Sequence, residues 1–310
     1  MHTSRVIVVG VVLVGATLLA VWYGGWSSSE KPIAEEGKLS VMTSFYPLAY
    51  LAQAIGGGMV SVTNMTPPGS EPHDFEPSPR HMILMGKAKL FMYNGADFEP
   101  WVMKWRAGAF EHPERILDMA ATLKGRGVSL LEKQGSVDPH VWLDPLVMIK
   151  EAEIVRDSFS LLDPAQTDYY TENAVRVIDL LTNLDRAFRA GLGVCEQNDI
   201  VVSHEAFEYL ARAYGIHVTS IAGISPDEEP SPKELARIVA LVRAKGVKYV
   251  FFETTASPKL SEVLAREIGG ETLVLNPLES LTPHELQSGE DYVSLMMMNL
   301  NNLRKALVCQ

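Results

Sequence analysis

The sequence predicts an α/β protein of two (β/α) lobes, each with a parallel four-stranded sheet. Three observations predict it. Short apolar runs alternate with amphipathic stretches through the first half, the same rhythm returns in the second half, and one long amphipathic segment lies between them. Strand, helix, strand implies crossover connections and therefore parallel pairing. The chain has 310 residues, 47% hydrophobic and 21% charged, an ordinary globular composition. That length fits two domains of usual size.

In the first half, Leu39–Phe45, Val60–Met65, Leu90–Tyr93 and Ile116–Met119 read as short buried strands, with helical periodicity at Pro47–Ile55, Pro79–Lys87 and Phe98–Trp105. In the second half, Ile200–Val202, Val218–Ile221, Tyr249–Glu253 and Thr272–Leu275 read as strands. Helices are expected there at Ala206–Tyr214, Pro232–Lys245, Pro258–Ile268 and Gly289–Leu307. A faint internal echo accompanies the repeat: Ser78-Pro79-Arg80 leads through a helix to Leu90-Phe91-Met92-Tyr93, and Ser231-Pro232-Lys233 leads likewise to Tyr249-Val250-Phe251-Phe252.

Between the halves, Asp163-Pro164 is a helix start with proline at the first position. Apolar residues then recur at Tyr170, Ala174, Val177, Leu181, Leu184 and Phe188 until Gly191. Such a segment makes about 40 Å of helix at ~1.5 Å per residue. A helix that long either spans two lobes as a strut or packs along one of them. The resulting division is 1–30 as a leader, 31–162 as the N-terminal lobe, 163–191 as the linking helix and 192–310 as the C-terminal lobe.

The leader is set apart by Val6–Tyr23, an uncharged apolar run preceded by Arg5 and followed by the polar stretch Ser27–Glu30. It reads as a signal peptide or an N-terminal membrane anchor, with the remainder of the chain translocated. No cysteine follows it to carry a lipid. The expected location is extracytoplasmic, in the periplasm or at the outer face of the plasma membrane.

Formal net charge is −11, from 27 Lys+Arg against 38 Asp+Glu, with no basic run. This excludes an electrostatic grip on nucleic acid or anionic lipid and favours a cationic ligand. The only cysteines are Cys195 and Cys309, so a Cys-rich zinc module is excluded. Whether the two pair is not fixed by the sequence. A transition-metal site here must be built from histidine and carboxylate.

Of the eight histidines, three stand out. His73 follows the strand Val60–Met65 and the turn Pro67-Pro68-Gly69, and His204 follows Ile200–Val202 directly. Both fall at strand carboxyl ends, where open α/β sheets bind ligands. His140 lies between two Asp-Pro pairs that stiffen the backbone, in Asp138-Pro139-His140-Val141-Trp142-Leu143-Asp144-Pro145. Ser203 is a candidate N-cap for a helix beginning at Glu205, and Asp74, Asp138, Asp144 and Glu205 are candidate acceptors for the second ring N–H of the imidazoles. Neither His204-Glu205 nor His284-Glu285 is followed by the second histidine of a metalloprotease helix, and there is no G-x-S-x-G, P-loop or G-x-G-x-x-G.

Three ordered motifs complete the picture: Pro-His-Asp-Phe-Glu-Pro-Ser-Pro at 72–79, Asp-Pro-His-Val-Trp-Leu-Asp-Pro at 138–145, and Ser-His-Glu-Ala-Phe-Glu-Tyr-Leu-Ala-Arg-Ala-Tyr-Gly at 203–215. Together they resemble the zinc/manganese substrate-binding proteins of ABC importers, the zinc-uptake and TroA-like receptors, from about Ser40 to the end. The resemblance implies lobes joined by one long rigid helix, a single divalent metal in the interlobe cleft, and delivery to a membrane permease with its ATPase. It implies the ligands His73, His140 and His204, and a fourth at Asp291, with Glu71 as the substitute. A monomer that is not an enzyme is expected.

Three imidazoles and one carboxylate suit zinc, with manganese the alternative. Zn2+ is then bound cargo. Two other classes remain at this stage: a zinc hydrolase, which keeps one coordination position open for water, and a surface adhesin, as relatives of the resembled family have been described. The stretch Ala121–Val137 contains no histidine, unlike the His-rich loop of many such receptors. The run Met296-Met297-Met298 is expected to pack in the core.

Overall fold

A computed structural model describes residues 37–106, 115–133, 135–226, 230–255 and 257–310. The expected leader at 1–30 lies outside the described residues. Among the described residues, no helix is long and apolar enough to cross a membrane.

The first sheet is built from β1 (Leu39–Thr43), β2 (Val60–Asn64), β3 (Leu90–Tyr93) and β4 (Ile116–Asp118), in the order β2-β1-β3-β4. All pairs are parallel, with Val41 opposite Val62 on one side and Leu90 on the other. Helices α1 (Tyr46–Gly56), α2 (Pro79–Lys87) and α3 (Pro100–Arg106) alternate with these strands. Helix α4 (Met119–Gly125) and the two-stranded ribbon β5 (Glu132–Lys133) and β6 (Ser136–Val137) follow. Helix α5 (Pro145–Leu162) is 18 residues long and buries Val147, Met148, Glu151, Ala152, Val155 and Phe159. No helix is expected there from the sequence, although Met148, Ala152, Val155 and Phe159 recur at helical spacing.

The second sheet holds β7 (Asp199–Val202), β8 (His217–Ser220), β9 (Tyr249–Phe252) and β10 (Glu271–Val274), in the order β10-β9-β7-β8, again all parallel. Its helices are α7 (Glu208–Tyr214), α8 (Pro232–Lys245), α9 (Lys259–Ile268), α10 (Pro283–Ser288) and α11 (Tyr292–Leu307). Read in chain order, the two sheets have the same topology, with β7 standing for β1 and β9 for β3. The sequence echo falls on equivalent units: α2 leads into β3 and α8 into β9. Both helices have serine at the N-cap and proline in the first turn, Ser78 accepting from His81 N at 3.3 Å and Ser231 from Glu234 N at 3.2 Å.

Helix α6 (Thr167–Leu192), 26 residues, connects the lobes after a short 3-10 turn at Pro164–Gln166. It packs on α1 and α5 on one side of the molecule and on α11 and α7 on the other. The predicted stripe of Tyr170, Ala174, Val177, Leu181, Leu184 and Phe188 is its buried face. Gly191 permits the close approach of α11, since a Cβ there would stand 3.0 Å from Leu300 Cδ1. Tyr170, Phe188, Trp142 and Tyr292 belong to one apolar cluster that runs through both lobes. The lobes are thus fused through a shared core.

Cys195 and Cys309 form a disulfide that ties the chain just beyond α6 to the C-terminus. Of the methionine run only Met296 is buried; Met297 and Met298 are 36% and 48% exposed, so the expected core role holds for the first alone.

Candidate metal centre

Each candidate side chain is placed by local structure that the sequence encodes. Asp138-Pro139 presents His140: the Asp138 carboxylate Oδ1 accepts from the His140 backbone N–H at 3.0 Å and from ring Nδ1 at 2.8 Å. The second Asp-Pro pair ends this rigid turn, with Asp144 capping α5 through Leu146 N at 2.9 Å. His204 stands two residues beyond β7, and its Nδ1 donates to Glu253 Oε1 at 2.5 Å. Glu253 directly follows β9, and Ser203 Oγ donates to the same oxygen. Ser203 is therefore not a helix cap; α7 begins only at Glu208. Glu205, expected to serve an imidazole, instead accepts from Ser220 Oγ at 3.2 Å.

His73 leaves β2 through the proline-rich turn, with its backbone N–H donating to Glu71 Oε1 at 3.1 Å and its ring 4.4 Å, centre to centre, from that of Phe98.

These three imidazoles converge on Glu279, a residue that sequence reasoning misses. Glu279 Oε1 lies 3.6 Å from His73 Nε2, 3.4 Å from His140 Nε2 and 3.4 Å from His204 Nε2, and His73 Nε2 is 3.3 Å from His140 Nε2. All four donor atoms lie within 4.8 Å of one another. The Glu279 separations exceed the ~2.7–3.2 Å of normal N–H···O hydrogen bonds. They match the edges of a tetrahedron with bonds of ~2.0–2.1 Å, which are about 3.3–3.4 Å. Both Glu279 oxygens and His204 Nε2 are buried with no hydrogen-bond partner among the described residues. Stranding such groups is costly unless something else satisfies them.

Asp291, by contrast, caps α11: its Oδ1 accepts from Ser294 N at 2.9 Å while Ser294 Oγ accepts from Asp291 N at 2.8 Å. The structure brings together His73, His140 and His204 with Glu279, and Asp291 is not one of the four converging groups. A signal for Glu279 was present. It falls just past the carboxyl end of β10, at the same kind of position that marked His73 and His204.

The electrostatics follow from burial. Desolvation alone would lower the His140 and His204 imidazoles, but Asp138 and Glu279 around the first, and Glu253 and Glu279 around the second, outweigh it and hold both above their ordinary value. Burial pushes against ionisation of Glu279, yet the facing imidazoles hold its carboxyl well below the usual range. Glu71 is pushed up to about 9, by burial first and then by Glu279. It supports the His73 backbone and is not among the four converging groups.

The cluster is spanned by chain from both lobes. Gly69 N donates to the Leu281 carbonyl at 2.8 Å, and Tyr46 N to the Glu279 carbonyl at 3.4 Å. Gly69 has φ +80°, and a Cβ there would stand 3.2 Å from Pro283 Cδ, so a side chain would press on this seam.

Two matching α/β lobes on one long helix, with three histidines and a carboxylate converging from both, define the class of two-lobed binding proteins whose site lies between the lobes. The chain belongs to the family of the zinc-uptake complex component A, periplasmic (ZnuA), whose profile matches residues 41–306. The zinc-binding lipoprotein AdcA of Streptococcus pneumoniae (strain R6) is 36% identical over 291 residues, covering 87% of this chain and 56% of that protein. The high-affinity zinc uptake system protein ZnuA of Bacillus subtilis is 32% identical over 315 residues, covering 96% of this chain and 97% of that one. The crystal structure of the Zn(II)-bound ZnuA-like domain of S. pneumoniae AdcA superposes with a TM-score of 0.77 at 36% identity, covering 87% of this chain and 99% of that domain. The chain thus spans little more than half the length of the streptococcal AdcA protein.

Proposed function

We propose that this protein is an extracytoplasmic receptor that captures a divalent transition metal, zinc before manganese, and delivers it to an ABC importer permease. The observation that carries this reading is the convergence of four donor atoms, three on buried residues and one on the half-buried His73, 3.3–3.6 Å apart for the pairs measured, with no hydrogen-bond partner for the Glu279 oxygens among the described residues. His73, His140 and His204 supply imidazole nitrogen and Glu279 the single anionic oxygen. Three nitrogens and one oxygen favour zinc, whereas manganese prefers more oxygen. The zinc-binding names of the relatives agree with this choice.

Capture is a proton exchange. The imidazoles bind metal only when neutral, so zinc displaces the protons that the surrounding carboxylates hold on His140 and His204. Asp138 and Glu253 then fix the ring orientations through Nδ1 and raise ligand basicity. Four side chains complete a tetrahedral shell and leave no position for an attacking water, which sets the site apart from a zinc hydrolase. Delivery requires the lobes, 31–162 and 192–310, to part slightly on the helix between them, and segment 1–30 to direct or anchor the protein outside the cytoplasm.

X-ray absorption at the zinc edge tests the coordination. The expected shell is four N/O ligands at ~2.0–2.1 Å with imidazole scattering. Five or six ligands dominated by oxygen overturn the reading.

A further inference from the structure

The turn that carries Glu279 is unusual. Leu278, fully buried and not glycine, has φ +58°, in the left-handed region that leucine seldom enters. Such a conformation persists only where the surroundings over-determine it.

Here the surroundings are specific. Asn276 Oδ1 accepts from Leu278 N at 2.8 Å, the side-chain-to-backbone bond of an Asx turn. Asn276 is in turn held from three sides. Its backbone N–H donates to Asn299 Oδ1 at 2.8 Å, and Asn299 Nδ2 donates back to the Asn276 carbonyl at 2.7 Å. Its own Nδ2 donates to Glu285 Oε1 at 2.9 Å and to Thr254 Oγ1 at 3.2 Å. Asn276, Asn299 and Glu285 are all buried, on three different pieces of the C-terminal lobe. Among the described residues, none of their hydrogen bonds goes to the four converging donors.

We infer that Asn276 is the positioning residue of the carboxylate ligand: it locks Leu278 into the left-handed turn that aims Glu279 at the three histidines. This rests on the proposed metal site and deepens it. The chemistry suits the role. The amide oxygen takes the one N–H that an extended backbone would turn elsewhere, while the amide nitrogen and main chain are clamped by α10 and α11. Without that clamp Leu278 relaxes to negative φ, and the carboxylate leaves the tetrahedron.

The test uses the metal-stripped protein with zinc in chelator competition, and Co(II) as a spectroscopic probe of ligand geometry. The parent is expected to bind one zinc and to give intense tetrahedral Co(II) bands. Asn276→Ala is expected to lose zinc affinity by about 10–100-fold, the range for residues that hold a ligand in place, and to weaken those bands. Asn276→Ser retains a weaker acceptor for Leu278 N and is expected to fall between the two; it carries the test if Asn276→Ala does not fold. Val242→Ala, in the apolar cluster beneath β9 and remote from the turn, is the control for plain destabilisation and is expected to leave both readouts unchanged. Zinc affinity and Co(II) bands in a folded Asn276 variant that match the parent overturn the inference while leaving the metal site standing. A parent that binds no zinc overturns the site itself, and the inference with it.

Discussion

The indole Nε1 of Trp142 donates to the carbonyl of Pro277 at 2.8 Å. The bond joins the rigid turn that presents His140 to the turn that presents Glu279, so two donors from opposite lobes are indexed to each other by one hydrogen bond. Tyr292 OH donates to the Trp142 carbonyl at 2.5 Å and extends the same link into α11. Trp142→Phe keeps an aromatic side chain, though a smaller one, and removes the N–H donor to the Pro277 carbonyl, a loss of about 1–3 kcal/mol from the stranded carbonyl. The expected outcome is lower stability in urea and faster zinc release in stopped flow. Release at the parent's rate contradicts the indexing.

Glu253 is the carboxylate behind His204, at 2.5 Å from Nδ1. Glu253→Gln removes the negative charge that raises the imidazole's basicity while keeping shape. Zinc affinity is expected to fall roughly 10–100-fold, as for other partners of ligating histidines. Equilibrium competition with a chromophoric chelator checks this, and an unchanged constant contradicts it.

Glu151 has both oxygens buried without a hydrogen-bond partner among the described residues, and burial pushes its carboxyl up to about 8 from 4.5. In the unfolded chain the group loses its proton near the ordinary value, whereas the folded protein keeps it until about 8. The folded state therefore binds the extra proton between those values, and stability falls as pH rises through that window. The total is on the order of a few kcal/mol. Glu151→Gln is expected to flatten that slope and to be the more stable protein at pH ~8–9. Urea unfolding at a series of pH values measures it; parallel curves for parent and variant contradict the assignment.

Much of this architecture was legible because parallel strands are buried on both faces. Leu90-Phe91-Met92-Tyr93 is an unbroken apolar run and is buried at every position. The histidine pattern was legible for a related reason, since strand carboxyl ends collect ligands. What escaped did so where a polar residue broke a local rule. Helix α5 is the exception: Met148, Ala152, Val155 and Phe159 recur at helical spacing, and Glu151 is the one acid on its buried face. Glu279 hid in Asn276-Pro277-Leu278-Glu279, where a buried acid and a left-handed leucine have no signature in composition or period. Asp291 presents the opposite case. An acid before a helix reads equally as cap or ligand, and only the Ser294 bonds decide between them. Partners distant in sequence were also beyond reach: Glu253 supports His204 from 49 residues away, while the adjacent Glu205 faces Ser220.

The central claim is that Glu279, with the three histidines, completes the metal shell. Calorimetric titration of the metal-stripped protein with zinc tests it most directly, comparing the parent with Glu279→Ala and Asp291→Ala. The account predicts one zinc per parent chain and a loss of roughly 100-fold or more for Glu279→Ala, beyond the usual effect of residues behind the ligands. For Asp291→Ala it predicts parent-like affinity in a protein less stable by ~1 kcal/mol through the lost helix cap. Parent-like zinc binding by Glu279→Ala, together with loss of binding in Asp291→Ala, would contradict it.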